Sequence, residues 1–265
     1  MRQRIPAIIS QTASSIRNLS DKNRHKYEVV AETIGKDGHL IDYVSNSQQL
    51  LDILFFPKVI RALIDDLTWH SIPWWLAENY EYVILNRIQQ SIASEDIPSD
   101  PFYYLKQDAL SAAISVFPDL VKPLISEVKE NCELSEAIFR AALLRNLWGN
   151  KADLSMSGGK IQEDEISSEA RNVLLVNHID AVWSYLHSKH IQKIAIFADN
   201  TGLELLCDLA LIAILFHYYP DLSIVYVVKS EPVFVSDVTL PDIRPTLEAL
   251  RKHPLDGRNC SECII

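Results

Sequence analysis

The sequence predicts an α/β protein: a helical N-terminal region over residues 1–190, then a parallel-sheet α/β core over residues 191–265 that is expected to be incomplete at its C-terminus. Three observations predict it. From about 47 to 148, apolar residues recur at spacings of three and four almost throughout. Residues 191–228 run strand, helix, strand, and both strands are apolar on both faces. Only one further strand candidate, Val233 to Val235, follows before a proline- and charge-rich tail, and two or three strands are too few for a doubly covered parallel sheet.

The helical elements come first along the chain. Phe102, Leu105, Ala109, Ala112, Ala113 and Val116 place an apolar stripe on one helix face, and Leu134, Ala137, Ile138, Ala141, Leu144 and Trp148 repeat it. Pro57, Pro73, Pro101, Pro118 and Pro123 read as seams, since proline begins a helix or ends its predecessor. Trp74, Trp75, Glu78 and Tyr80 make an aromatic-rich helix start, read as core packing with a polar edge. Residues 149–168 are polar, with the only Gly-Gly and an acidic cluster, and are expected to form a surface loop or linker. His187 and His190, near a helix end, suit the negative pole of a helix dipole better than a metal. Strand 191–198, helix 202–219 and strand 222–228 then form a crossover whose length implies neighbouring parallel strands.

Composition bounds the function. At 265 residues, against roughly 150 per domain, the chain is one large domain or two modest ones and needs no disulfide staples. Hydrophobic residues at 48% and charged ones at 23% are close to globular averages, and 7 glycines exclude glycine-rich low complexity. The net charge of −10 repels nucleic acid and anionic lipid, so neither a nucleic-acid nor a membrane partner is expected. An anionic substrate has to be met by local positive charge or a metal. The opening MRQRIPAIISQT lacks an apolar run of signal-peptide length, and the run Leu205 to Phe216 is broken by Asp208 and shorter than the ~20 residues that cross a bilayer. A soluble protein of the cytoplasm, or of cytoplasm and nucleus, is expected, with Cys132, Cys207, Cys260 and Cys263 reduced. The C-x-x-C of Cys260 and Cys263 lacks the second pair that zinc needs and reads as an exposed tail.

The candidate chemistry lies at the end of the first strand, where Asp199-Asn200-Thr201-Gly202 directly precedes a helix. Open α/β sheets bind ligands beyond the carboxyl ends of their strands, where helix N-termini present N–H groups to anions. After the second strand, Asp237 supplies another carboxylate. Asp199, the Asn200 amide oxygen and Asp237 together offer three oxygen ligands suited to Mg²⁺ or Mn²⁺. The same residue types are also preferred helix N-caps and turn formers, and pattern alone leaves that alternative open. Glu204 and Asp208 lie four apart on the following helix, with Glu204 in its first turn.

Asp199 to Leu209 resembles the DNxGxELxxDL signature of the DUF89 family, the damage-control phosphatases, in the subgroup that includes acidic residue methyltransferase 1. Four other stretches are similar to its motifs in the same order: WHSIPWWLAENY from Trp69, Asp100-Pro101-Phe102 with Lys106, LWGNKADLS from Leu147, and Pro232 to Thr239. The resemblance implies a helical region leading into an α/β core. It implies a divalent metal (Mn, Co, Ni or Mg) at Asp199, Asn200 and Asp237, and hydrolysis of phosphate monoesters such as fructose 1-phosphate and fructose 6-phosphate. A small phosphorylated sugar is then the partner. Asp199, Asn200, Thr201 and Gly202 would contact it, with N–H groups at Thr201 and Gly202 meeting the phosphate.

Two alternatives stand beside this. S-adenosylmethionine-dependent methylation of protein glutamates is also described for the subgroup, and Glu204 and Asp237 match its methyl-donor positions; the G-x-G-x-x-G loop is absent. An inactive, C-terminally truncated member is the other, because the subgroup's KGDLNYR and RTxK motifs, whose lysines face the phosphate, do not occur here. A charge-assisted contact of that kind contributes roughly 1.5–3 kcal/mol.

Overall fold

The computed structural model describes residues 3–40, 67–149, 174–188 and 191–253. The chain divides into two compact units, Met1–Leu105 and Lys106–Ile265. Among the described residues, the helices that follow residue 105, up to the one ending at Ser188, share a unit with the strands.

In the first unit, α1 (Arg4–Ser15) and α2 (Asp21–Gly35) form a hairpin, and each touches α3 (Trp74–Ile92). Ser20 caps α2 by accepting from the Asn23 N–H. Ile5, Ile9, Tyr27, Val30, Tyr80 and Leu85 are buried, and the Tyr27 hydroxyl donates to Gln89 Oε1 at 2.5 Å. Trp74 and Trp75 do not pack in the core as the sequence predicts; they are 46% and 52% exposed. They lie on the opening turn of α3, ahead of its buried stretch, and the Trp74 ring carries the Arg4 guanidinium on its face. Glu78 and Tyr80, from the same motif, are buried.

The second unit contains α4 (Tyr103–Glu130) from Lys106 onward, α5 (Glu136–Trp148), α6 (Ile179–Ser188), β1 (Lys193–Phe197), α7 (Leu203–Tyr218), β2 (Ser223–Val227) and α8 (Leu240–Lys252). Pro118 and Pro123 are not seams but lie inside α4. Phe117, Val121 and Leu124 are buried around both prolines, and burying that continuous stripe outweighs the backbone hydrogen bonds lost. By length and composition α4 is apolar enough to cross a membrane, yet Leu110, Ala113, Phe117 and Val121 share a core with Leu203, Leu206 and Cys207 of α7.

β1 and β2 are parallel, in register from Lys193↔Ser223 to Phe197↔Val227. The predicted α/β class is therefore observed. The expectation of strands covered on both faces is not: Ile194 and Ile224 join the core with α5 and α7, while Ala195, Phe197 and Val225 are exposed among the described residues. One crossover carries one helix, and α7 covers one face. Residues 233–235 form no strand; Asp237 Oδ2 accepts from the N–H groups of Val233 and Phe234, taking up donors that a ladder would use. Cys132 and Cys207 are free thiols. Pro57, residues 150–168, His190, Cys260 and Cys263 lie outside the described residues.

Candidate cation and phosphate site

Two chain segments meet beyond the carboxyl ends of β1 and β2. Ala198 N–H still donates to the Val227 carbonyl at 2.8 Å, after which the chain leaves the sheet through Asp199 and Asn200. The segment after β2 turns and comes back alongside: Lys229 N–H donates to the Val238 carbonyl and Val238 N–H to the Asp199 carbonyl, each at 2.9 Å. Asn200 and Asp237 then pair in an antiparallel bridge. The sequence places Asp199, Asn200 and Asp237 in one site, and the backbone brings them there.

The side chains converge on Lys229. Its ammonium donates to Asp199 Oδ1 at 2.8 Å and to Asp237 Oδ1 at 2.5 Å. Burial disfavours the charge of Lys229, but these two carboxylates outweigh it and raise its pKa. Asp237 is buried with both oxygens engaged, whereas the Asp199 side chain is 55% exposed. The Asn200 amide donates to Asp199 Oδ2 at 3.2 Å and Glu204 Oε2 at 3.0 Å, and its oxygen accepts the Ser236 hydroxyl at 2.6 Å. Burial pushes Glu204 up to about 7; the Asn200 hydrogen bond opposes this, and Asp199 and Asp208 add to it. Asp208 is also raised by burial, against hydrogen bonds from Tyr226 and Asn146.

Neither Asp199 nor Asn200 caps α7. The N-cap is Gly202, at φ +74° and ψ −129°, a conformation that only glycine adopts readily. Thr201 N–H donates to the Ser236 carbonyl at 2.7 Å, so it is not the phosphate donor the sequence reading expects. The Thr201 hydroxyl, by contrast, is buried with no hydrogen-bond partner among the described residues.

Among the described residues, no three His, Cys, Asp or Glu side chains gather as metal ligands. The convergent set is two carboxylates and an amide. Residues 1–263 match the Damage-control phosphatase ARMT1-like domain. The chain belongs to that family. Within it, Damage-control phosphatase ARMT1 of Bos taurus is 30% identical over 217 residues, covering 74% of this chain and 47% of the relative. The Homo sapiens protein of the same name is 27% identical over 305 residues, covering 95% of this chain and 65% of the relative. The Xenopus tropicalis protein is 29% identical over 234 residues, covering 80% and 52%. This ARMT1-like chain therefore spans about half to two thirds of the length of these relatives.

Two lysines of the ARMT1-like domain carry more than its sequence announces. Nothing local in the sequence distinguishes Lys229, a single lysine after a strand, from ordinary surface charge. Lys106, from the Asp-Pro-Phe motif, is 1% exposed and donates to Asp242 Oδ2 at 2.9 Å. The same oxygen accepts from the Thr239 N–H at 2.8 Å and the Thr239 hydroxyl at 2.7 Å, pinning the start of α8 just beyond Asp237.

Proposed function

We propose that this is a divalent-cation-dependent phosphatase site acting on small sugar phosphate monoesters, of which fructose 1-phosphate and fructose 6-phosphate are the first to test. One observation carries the reading: the Asp199 and Asp237 carboxylates both face one cationic point at the carboxyl edge of a parallel strand pair. Membership of a phosphatase family supports it.

The residues fit a hard cation such as Mn²⁺, Co²⁺, Ni²⁺ or Mg²⁺. Asp199, Asp237 and the Asn200 amide oxygen would hold it, and the neighbouring Thr201 carries a buried hydroxyl with no hydrogen-bond partner among the described residues. Bound there, the metal supplies Lewis-acid polarisation of a phosphoryl oxygen.

The protein's own groups divide the remaining work. Asp237, fixed through both oxygens, holds its position. Asp199 is half exposed, and this access to solvent suits it to orient a water or to attack phosphorus. The first turn of α7, opening at Gly202, supplies N–H groups that lack carbonyl partners within the helix, suited to anionic phosphate oxygens. In a chain of net charge −10 the local positive charge of Lys229 offsets the repulsion of a phosphate.

Methyl transfer from S-adenosylmethionine calls on Glu204 and Asp237, and no specific observation favours it. Glu204 is engaged by Asn200, and Asp237 by Lys229 and two N–H groups. The test is phosphate release from fructose 1-phosphate with Mn²⁺, comparing the chain with Asp199→Ala. A loss of at least about 100-fold is expected, and unchanged turnover in the variant ends the assignment. Donor-dependent glutamate esterification would instead support methyl transfer. A chain that neither binds Mn²⁺ nor releases phosphate is the inactive member.

A further inference from the structure

Lys229 occupies the point that the proposed cation needs. Asp237 Oδ2 already accepts two backbone N–H groups, so its other oxygen is the one available to a ligand, and Lys229 holds that oxygen. The same ammonium holds Asp199 Oδ1. Two carboxylates brought this close repel each other unless a cation lies between them. The lysine side chain is 33% exposed, so it has an outward route that the buried Asp237 lacks.

We infer that Lys229 is a resident counter-ion: its ammonium keeps Asp199 and Asp237 assembled without metal, and a divalent cation binds by displacing it from Asp237 Oδ1. Metal loading is then an exchange of one cation for another, and Lys229 sets its affinity. The inference rests on the metal reading proposed above and adds the residue that regulates occupancy. Lys229 here is a positioning residue.

The experiment is calorimetric titration of Mn²⁺ into the metal-free full chain, its Lys229→Met variant and its Asp199→Asn variant, with thermal melts of each. Lys229→Met is expected to bind Mn²⁺ roughly tenfold more tightly than the unaltered chain, since a competing charge is gone, and to melt lower without metal. A lysine that merely supports the fold would lower both. Equal or weaker Mn²⁺ binding by a folded Lys229→Met overturns the inference. Should that variant not fold, the unaltered chain, ¹³C-methylated on its lysines, is titrated with Mg²⁺ and followed by NMR, the Lys229 signal being assigned by its loss in Lys229→Arg. A shift that saturates with Mg²⁺ supports displacement, and an unmoved signal overturns it. No Mn²⁺ binding by the unaltered chain overturns both this inference and the metal reading. Binding that is lost in Asp199→Asn yet indifferent to Lys229→Met overturns this inference alone.

Discussion

Gly149 approaches Glu204 so closely that a Cβ on the glycine would fall 2.8 Å from the Glu204 Cα and 3.3 Å from its backbone nitrogen. The end of α5 thus abuts the first turn of α7, and a methyl group there requires one backbone to move. Gly149→Ala is expected to cost about 1–3 kcal/mol of stability. Because Glu204 accepts from Asn200, the shift reaches the site as well. Denaturant unfolding combined with Mn²⁺ titration reads both effects. A variant with unchanged stability would show that the contact relaxes freely.

Gly202 meets no such obstacle, since its nearest neighbour would be the Ala109 Cβ at 3.6 Å. Its constraint is the backbone itself, at φ +74°. Gly202→Ala is therefore expected to destabilise by about 1–3 kcal/mol through strain alone, seen as a lower melting temperature. Ala109→Gly, which enlarges the space, should not rescue it.

Lys106 and Asp242 form a buried ion pair, and breaking such a pair leaves a charge stranded. Lys106→Met is expected to destabilise by about 3–5 kcal/mol. The double substitution Lys106→Met with Asp242→Leu should recover part of that loss, although Thr239 then loses its acceptor. A double-mutant cycle in urea measures the coupling.

Glu81 on α3 is buried, and neither of its carboxylate oxygens has a hydrogen-bond partner among the described residues. Burial pushes its pKa up to about 9; the nearby Glu78 carboxylate adds to the shift, and Arg4 opposes it. The folded chain keeps this proton to about pH 9, whereas the unfolded chain releases it near the ordinary carboxylate value. Unfolding therefore releases a proton across the interval between, and stability falls as pH rises, by up to about 1.4 kcal/mol per pH unit. Glu81→Leu is expected to flatten this dependence and to raise the melting temperature at pH 8. A parallel pH profile in the variant would sink the assignment.

The convergence of Asp199, Asn200 and Asp237 was legible because motif position and strand ends constrain one another. Lys229 was not, since only the returning segment brings its ammonium between the carboxylates. The Lys106–Asp242 pair joins residues far apart in the chain, which no local pattern encodes. At Pro118 and Pro123 a local rule yielded to burial around Phe117 and Val121. At Val233 and Phe234 β-propensity yielded to the Asp237 carboxylate, a single acceptor close in sequence.

The two ends of the Lys229 bridge sit in unlike surroundings, Asp237 with 2% of its side chain exposed and Asp199 with 55%. Dissolved electrolyte, with a Debye length of about 8 Å at physiological strength, weakens the outer attraction and largely spares the inner one. As ionic strength climbs, the lysine behaves as a hinge: anchored at depth, loosened at the rim.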